Sequence, residues 1–287
     1  MSPANLAGLA AIVLWSSLAS LTAASGAAPP FQLAAMTFAI GGCLGLAVVL
    51  WRGEAARLRQ PWRVWLLGVG GLFGYHALYF SALRRAPAAE AGLVAYLWPL
   101  LIVLFSGLAP GKRLGARHLT GALLGLAGVM TLLAGDKLAN GEALALEARY
   151  TSGFLLAFAA AFVWSGYSVL SRRFREAPTA AVTGFCLATA FLALLCHWLF
   201  EPTVWPAGPA SWLAVFALGL GPVGAAFFAW DFGVKRGDIR FLGVASYAAP
   251  ILSTGMLVLL GLAPATASLA LATAMIAAAA MIAAPWA

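Results

Sequence analysis

Apolar residues do not alternate along this chain. They run in blocks of about twenty, broken by short stretches rich in Arg, Pro and Gly. Coiled at about 1.5 Å per residue, such a block matches the roughly 30 Å hydrocarbon thickness of a bilayer. The pattern predicts ten spans, at about 4–25, 30–51, 62–84, 87–109, 117–135, 150–171, 178–200, 210–234, 240–262 and 265–284. Each must be a helix, because a barrel needs alternating strands and lipid leaves an isolated backbone no other partner. The expected fold is an all-α integral membrane protein. Residues 6–24 resemble a cleaved leader in length, but no Lys or Arg precedes Arg52. They are expected to be a retained first span.

Composition removes the main rival class. Hydrophobic residues make up 63% of the 287 and charged residues 9%, against roughly 45–50% and about 25% in soluble domains. A water-facing globular surface is excluded. The net charge of +8 would suit a nucleic acid only on an exposed basic face, and ten spans leave little of one. No nucleic-acid partner is expected, only the bilayer and a small molecule. With the N-terminus cytoplasmic, 13 of the 17 basic residues fall in inner loops, and only Arg84, Arg85, Lys137 and Arg149 lie outside. The positive-inside rule therefore places both termini in the cytoplasm. Cys43, Cys186 and Cys196 lie in apolar blocks without Cys-x-x-Cys spacing and are expected to be buried apolar groups. No metal and no cofactor is expected.

The chain also repeats. AGLVAYLWPL (91–100) aligns with LGVASYAAPI (242–251), placing Gly92 on Gly243, Tyr96 on Tyr247 and Pro99 on Pro250. Upstream at the same offset Gly68 falls on Gly219, Gly70 on Gly221 and Arg84-Arg85 on Lys235-Arg236. Trp15-Ser16 falls on Trp164-Ser165. Two five-span units are predicted, 1–135 and 150–287, joined outside by 136–149. Five is odd, so the second unit enters the membrane upside down, an arrangement typical of transporters.

Candidate chemistry clusters at mid-span. Pro99 and Pro250 each remove a donor and should free the carbonyls of Ala95 and Ser246. Paired midplane breaks are how transporters shape substrate sites, and a distortion at Pro99 would let Tyr96 and Trp98 approach one cavity. Tyr75 and Tyr79 share a helix face with His76 beside them. Such polar edges in lipid must face the bundle interior or water. Trp15, Trp164, Ser168 and Tyr247 complete the expected site. Trp230 and Asp231 are expected near the inner end of span eight, with Asp231 pairing in a loop, and His197 at the outer interface. Gly70-x-x-x-Gly74 and Gly121-x-x-x-Gly125 are expected to bring helices close.

The ten-span plan, the repeated mid-helix proline and the string GYHALYFSALRRAPAAEAGLVAYLWPLL (74–101) resemble the EamA-type branch of the drug/metabolite transporter superfamily. Within it, Tyr75-His76 and the aromatics around Tyr96, Trp98 and Pro99 are most similar to the YddG-like exporters of aromatic amino acids. The resemblance implies a bacterial inner-membrane exporter that passes its cargo through a central cavity. The expected mechanism is a secondary carrier, able to work as a monomer, that rocks its two halves about a midplane site. The absence of a carboxylate from the centre of span one argues against proton-driven multidrug exchange, and facilitated movement is expected. A channel, or an exporter of other small metabolites or cationic aromatic compounds, is the alternative. An enzyme is not expected, since no Gly-x-Ser-x-Gly, paired aspartates or His-rich metal spacing occurs.

Overall fold

The computed structural model describes residues 1–108, 115–144, 147–259 and 265–283. The described residues are helical almost throughout. In chain order the helices are α1 (Pro3–Ser16), α2 (Leu18–Ala24), α3 (Pro30–Trp51), α4 (Trp62–Leu83), α5 (Ala88–Ala95), α6 (Trp98–Gly107) and α7 (Ala116–Ala139). After the connection come α8 (Thr151–Leu170), α9 (Val182–Phe200), α10 (Pro209–Leu220), α11 (Ala226–Arg236), α12 (Ile239–Ala245), α13 (Ala248–Leu259) and α14 (Ala267–Ala283). Eight continuous or nearly continuous helical stretches are long and apolar enough to cross a membrane. The shorter α12, α13 and α14 accompany them. Ends of the expected spans at 109, 260–262 and 284, with Lys112, Arg113 and Trp286, lie outside the described residues.

Where helices break, side chains and backbone take up the loose groups. The first span divides at Ser17, where Ser16 and Ser17 hydroxyls donate back to Val13 and Leu14 carbonyls at 2.6 and 2.8 Å. The expected breaks near Pro99 and Pro250 fall at Tyr96–Leu97 and Ser246–Tyr247. Each proline sits in the first turn of the following half-helix, where a missing N–H costs nothing. One detail differs from expectation: the Ser246 carbonyl is not free, because Ala249 N–H reaches it at 3.1 Å. A tight i to i+3 turn can accept what the proline cannot donate. A further break, a π turn at Gly221–Ala225 between α10 and α11, is centred on Gly-Pro-Val-Gly.

Packing obeys the repeat. α3 lies along α9 and α7 along α14, while α4 pairs with α8 and α1 with α11. Exchanging the two repeats maps each pairing onto itself or onto its counterpart. The helices therefore do not pack as two separate sequence halves. Instead α4, α5, α6 and α8 form one bundle, and α1, α11, α12 and α13 form another. Each bundle draws helices from both repeats.

Glycines permit the closest crossings. A Cβ on Gly233 would stand 2.8 Å from Gly8 Cα, and one on Gly41 2.8 Å from Gly224 Cα. The Gly121/Gly125 face behaves as expected: a Cβ on Gly121 would meet Ala279 O at 2.9 Å, and one on Gly125 would meet the Tyr247 ring. Gly70-x-x-x-Gly74 does not, since Gly70 has no neighbour within 4 Å and Gly74 only Val163 at 3.5 Å. The tight contacts on α4 come instead from Gly68 against Phe185 and Gly71 against Tyr167. The cysteines are free; Cys186 is buried and Cys196 half-buried, but Cys43 faces outward. An outward apolar position is acceptable where the surroundings are lipid.

Polar contacts mark two ends. At the end bearing the N-terminus, hereafter the terminal end, Asn5 Oδ1 accepts Asp238 N–H at 2.7 Å, and α14 meets Gly121. At the far end Glu201 accepts the backbone N–H groups of Phe31 and Gln32, both at 3.0 Å, at the start of α3. It also pairs with Arg84 and with His197. A carboxylate on a helix N-terminus is favoured by the dipole and by the unsatisfied N–H groups there. His197, expected at the interface, is in fact buried in this cluster, with Nε2 2.9 Å from Thr203 Oγ1. Glu90 is likewise buried, 3.0 Å from Lys137 Nζ.

Candidate functional site

The largest concentration of aromatic rings lies where the broken helices meet. Trp15 on α1 stands 5.7 Å from Trp164 on α8, 5.1 Å from Trp230 on α11 and 6.5 Å from Trp98 on α6, ring centre to ring centre. Trp164 and Trp230 stack at 6.3 Å with planes 20° apart. Four tryptophans from both repeats thus pack into one cluster. Tyr75 adds a tilted contact to Trp164 at 5.5 Å and stacks on Tyr79 at 5.8 Å. His76 stands edge-on to Phe38 at 5.0 Å and to Phe227 at 6.1 Å. Such pairs contribute about 0.5–1.5 kcal/mol each beyond their burial. The walls are therefore held rigid before any cargo arrives.

Hydrogen bonds orient these rings. Trp15 Nε1 donates to Pro222 O at 3.0 Å, a carbonyl of the π turn, and Trp230 Nε1 donates to Ser168 Oγ at 3.1 Å. Ser165 Oγ lies 2.8 Å from Trp98 O and 2.7 Å from Ala161 O, so it secures the first carbonyl after the α5–α6 break. His76 Nδ1 is 2.7 Å from Leu72 O. A carbonyl only accepts, so Nδ1 carries the proton, and Nε2 is an acceptor whenever the ring is neutral. The hydroxyls of Tyr75, Tyr79 and Tyr96 and the indole N–H groups of Trp98 and Trp164 have no hydrogen-bond partner among the described residues. Tyr75, Tyr79 and Tyr96 are half-buried, and Trp98 and Trp164 are buried. Unpartnered donors beside apolar rings form an amphipathic recess.

The aromatic cluster is packed more tightly toward the terminal end than toward the far end. Toward the terminal end Trp230 is wholly buried. Below it Arg172 donates from Nη1 to Val234 O at 2.7 Å and to Gly237 O at 2.9 Å, tying α8 to the α11–α12 turn. There Gly243 of α12 packs on α6: a Cβ would lie 3.0 Å from Ile102 and 3.3 Å from Pro99 O. Toward the far end Tyr75, His76, Tyr79 and Phe80 are only half-buried. Gly92, the repeat partner of Gly243, is buried, yet a Cβ there would meet nothing within 4 Å.

The expected site residues divide accordingly. Trp15, Tyr75, His76, Tyr79, Trp98 and Trp164 share the recess. Ser168 is buried one layer below and acts through Trp230. Tyr96 packs beside Val129, Tyr247 and Ile276, and Tyr247 is fully buried against Gly125. Pro99 and Pro250 are buried at the starts of half-helices and shape the backbone. Sequence reasoning missed Phe38, Tyr167, Phe227 and Trp230. For two of them the signal existed, since the 151-residue repeat offset that aligns Gly68 with Gly219 places Phe227 on His76 and Trp230 on Tyr79. Asp231, expected to pair in a loop, is buried, 2.8 Å from Lys235 Nζ and 2.9 Å from Thr179 Oγ1.

Comparison with known proteins adds independent findings. The pattern of the EamA-like transporter family matches residues 2–134 and 151–284. An Ancylobacter novellus protein named aromatic amino acid exporter YddG is 60% identical over 276 residues, 96% of this chain and 94% of its own. Proteins of the same name from Salmonella typhimurium and Escherichia coli are 31% and 30% identical, over 90% and 91% of this chain and 88% and 89% of theirs. A solved crystal structure superposes with a TM-score of 0.92 at 58% identity, covering 97% of this chain and 95% of its own.

Proposed function

The chain belongs to the EamA-like transporter family, and we propose that it exports aromatic amino acids, and more loosely other neutral ones, across the bacterial inner membrane. The observation that carries the reading is the tryptophan-walled recess with unpartnered polar groups, supported by the close likeness to a named aromatic amino acid exporter. A planar side chain stacks among Trp15, Trp98, Trp164 and Tyr75. Its carboxylate meets N–H and O–H donors, and its ammonium meets ring faces and the His76 acceptor. A zwitterion suits a recess without net charge.

In this reading the topology is ten spans, with α12–α13 as the ninth and α14 as the tenth, in two inverted repeats with both termini cytoplasmic. The basic loops at the terminal end support it. The arrangement described is then open to the outside and shut toward the cytoplasm. Transport proceeds when the α4–α5–α6–α8 bundle and the α1–α11–α12–α13 bundle exchange which end they close. Movement is driven by the substrate gradient, because Asp231, the one carboxylate adjoining a recess ring among the described residues, is occupied by Lys235 and Thr179.

Purified protein in liposomes should move labelled phenylalanine or tryptophan saturably, with excess unlabelled substrate competing. Trp98→Ala and Trp164→Ala should each lower the rate at least tenfold, and unchanged rates would overturn the site. Proton uptake in fixed ratio to substrate would overturn the coupling.

A further inference from the structure

A cavity of about 750 Å³ lies at the terminal end, outside the aromatic cluster. Its floor is apolar, built on Phe105 of α6 and Phe162 of α8, whose rings meet edge-on at 5.0 Å. The sides run out to Leu108 and Leu170. Leu108 is 80% and Phe162 52% exposed, and in a membrane-spanning bundle such apolar exposure faces acyl chains. The cavity therefore opens sideways into lipid.

Its rim at the terminal end is basic. Arg172, Arg173 and Arg240 line it. Arg172 is committed to the Val234 and Gly237 carbonyls. Arg173 and Arg240 form no side-chain hydrogen bond or ion pair among the described residues. The one carboxylate on the described rim, Asp238, caps α12 through the N–H groups of Arg240 and Phe241 at 3.0 and 3.2 Å. Two uncommitted guanidinium groups above an apolar trough opening to the membrane match a molecule with an anionic head and hydrocarbon tails. A free amino acid would leave the trough empty.

We propose that this cavity is a binding site for an anionic phospholipid, its phosphate held by Arg173 and Arg240 and an acyl chain laid on Phe105 and Phe162. Arg173 follows α8 and Arg240 opens α12, so the two arginines belong to different bundles. One lipid headgroup then bridges the bundles at their closed end. Bound lipid favours the arrangement shut toward the terminal end, adding to the Arg172 and Gly243 contacts. Basic clefts between membrane helices are suited to such headgroups.

The test is lipid retention by the purified full-length protein, read by native mass spectrometry after titration with phosphatidylglycerol, phosphatidylcholine or inorganic phosphate. Phosphatidylglycerol should be retained well above phosphatidylcholine, and inorganic phosphate should not compete at equal concentration. Arg173→Gln and Arg240→Gln should each weaken retention about fivefold, the scale of one basic side chain at an anionic surface. The Lys variants should restore most of it. Arg57→Gln with Arg59→Gln, basic changes on the same end but outside the cavity, should leave retention unchanged. Equal loss in that control, equal retention of phosphatidylcholine, or full retention by the Arg173/Arg240 double Gln variant would overturn the proposal. Displacement by inorganic phosphate would assign the arginines to a free anion and overturn it too. Because the readout is lipid and not amino acid, either outcome leaves the transport assay to stand or fall by itself.

Discussion

Gly92 and Gly243 hold equivalent places in the two repeats, yet a Cβ would meet nothing at Gly92 and would press on Ile102 and the Pro99 carbonyl at Gly243. The same contrast runs through the two ends. At the terminal end the bundles touch along their centre, through Trp230 on Ser168, Arg172 on the α11–α12 turn, and α12 on α6. At the far end the strong contacts lie at the periphery, in the Glu201 cluster and the Glu90–Lys137 pair, and a Cβ on Gly92 would meet nothing within 4 Å. If the two ends alternate as proposed, one repeat displays the contact that the other makes in the alternate state.

Substitutions at five positions break or sharpen that contrast. Trp230→Ala removes the buried floor of the recess and orphans Ser168, and should lower stability by about 3–5 kcal/mol, read as a large fall in melting temperature in detergent. Glu201→Ala strips the far end of its anchor, leaving Arg84 and the α3 N-terminus without their carboxylate. A loss of about 3 kcal/mol is expected, and a change under about 0.5 kcal/mol would show that the periphery does not hold that end.

Gly243→Ala should cost about 1–3 kcal/mol by overpacking against α6, and should raise the accessibility of the terminal end to cysteine reagents. Arg172→Gln leaves two carbonyls short of a donor, at about 1 kcal/mol. It should move the population several-fold toward a structure open at the terminal end, measured by the same labelling. Gly92→Ala, the counterpart of Gly243→Ala, should change melting by less than about 0.5 kcal/mol. Gly92→Leu should slow transport while melting is unchanged, because bulk at the vacant position obstructs only the closure of the far end. Equal effects of Ala at positions 92 and 243 would remove the asymmetry on which the two-state reading stands.

Much of the scaffold is legible in the order of the amino acids. Runs of twenty apolar residues report helices because lipid allows little else, and the repeat reports pairing because equal sequences build equal surfaces. Tyr75, His76, Tyr79 and Trp98 stand out because polar edges at mid-span have few reasons to exist in lipid. Trp230 does not, because Asp231, Lys235 and Arg236 follow it closely and charges conventionally mark the interface. Its depth is readable only from the fold, where Asp231 is buried with Lys235. Gly70 misleads because a small-residue spacing says that a helix can be approached closely but not on which face.

By itself, then, the sequence determined the helices, the two repeats, the basic end and the aromatic character of the site, since each follows from local hydropathy or internal likeness. Tertiary structure alone decided which helices pack together, that Trp230 is buried among the other tryptophans, and which of the two equivalent glycines is pressed against a neighbour. Those are contacts between segments far apart in the chain, and two repeats of one pattern give no local sign of which of them has closed.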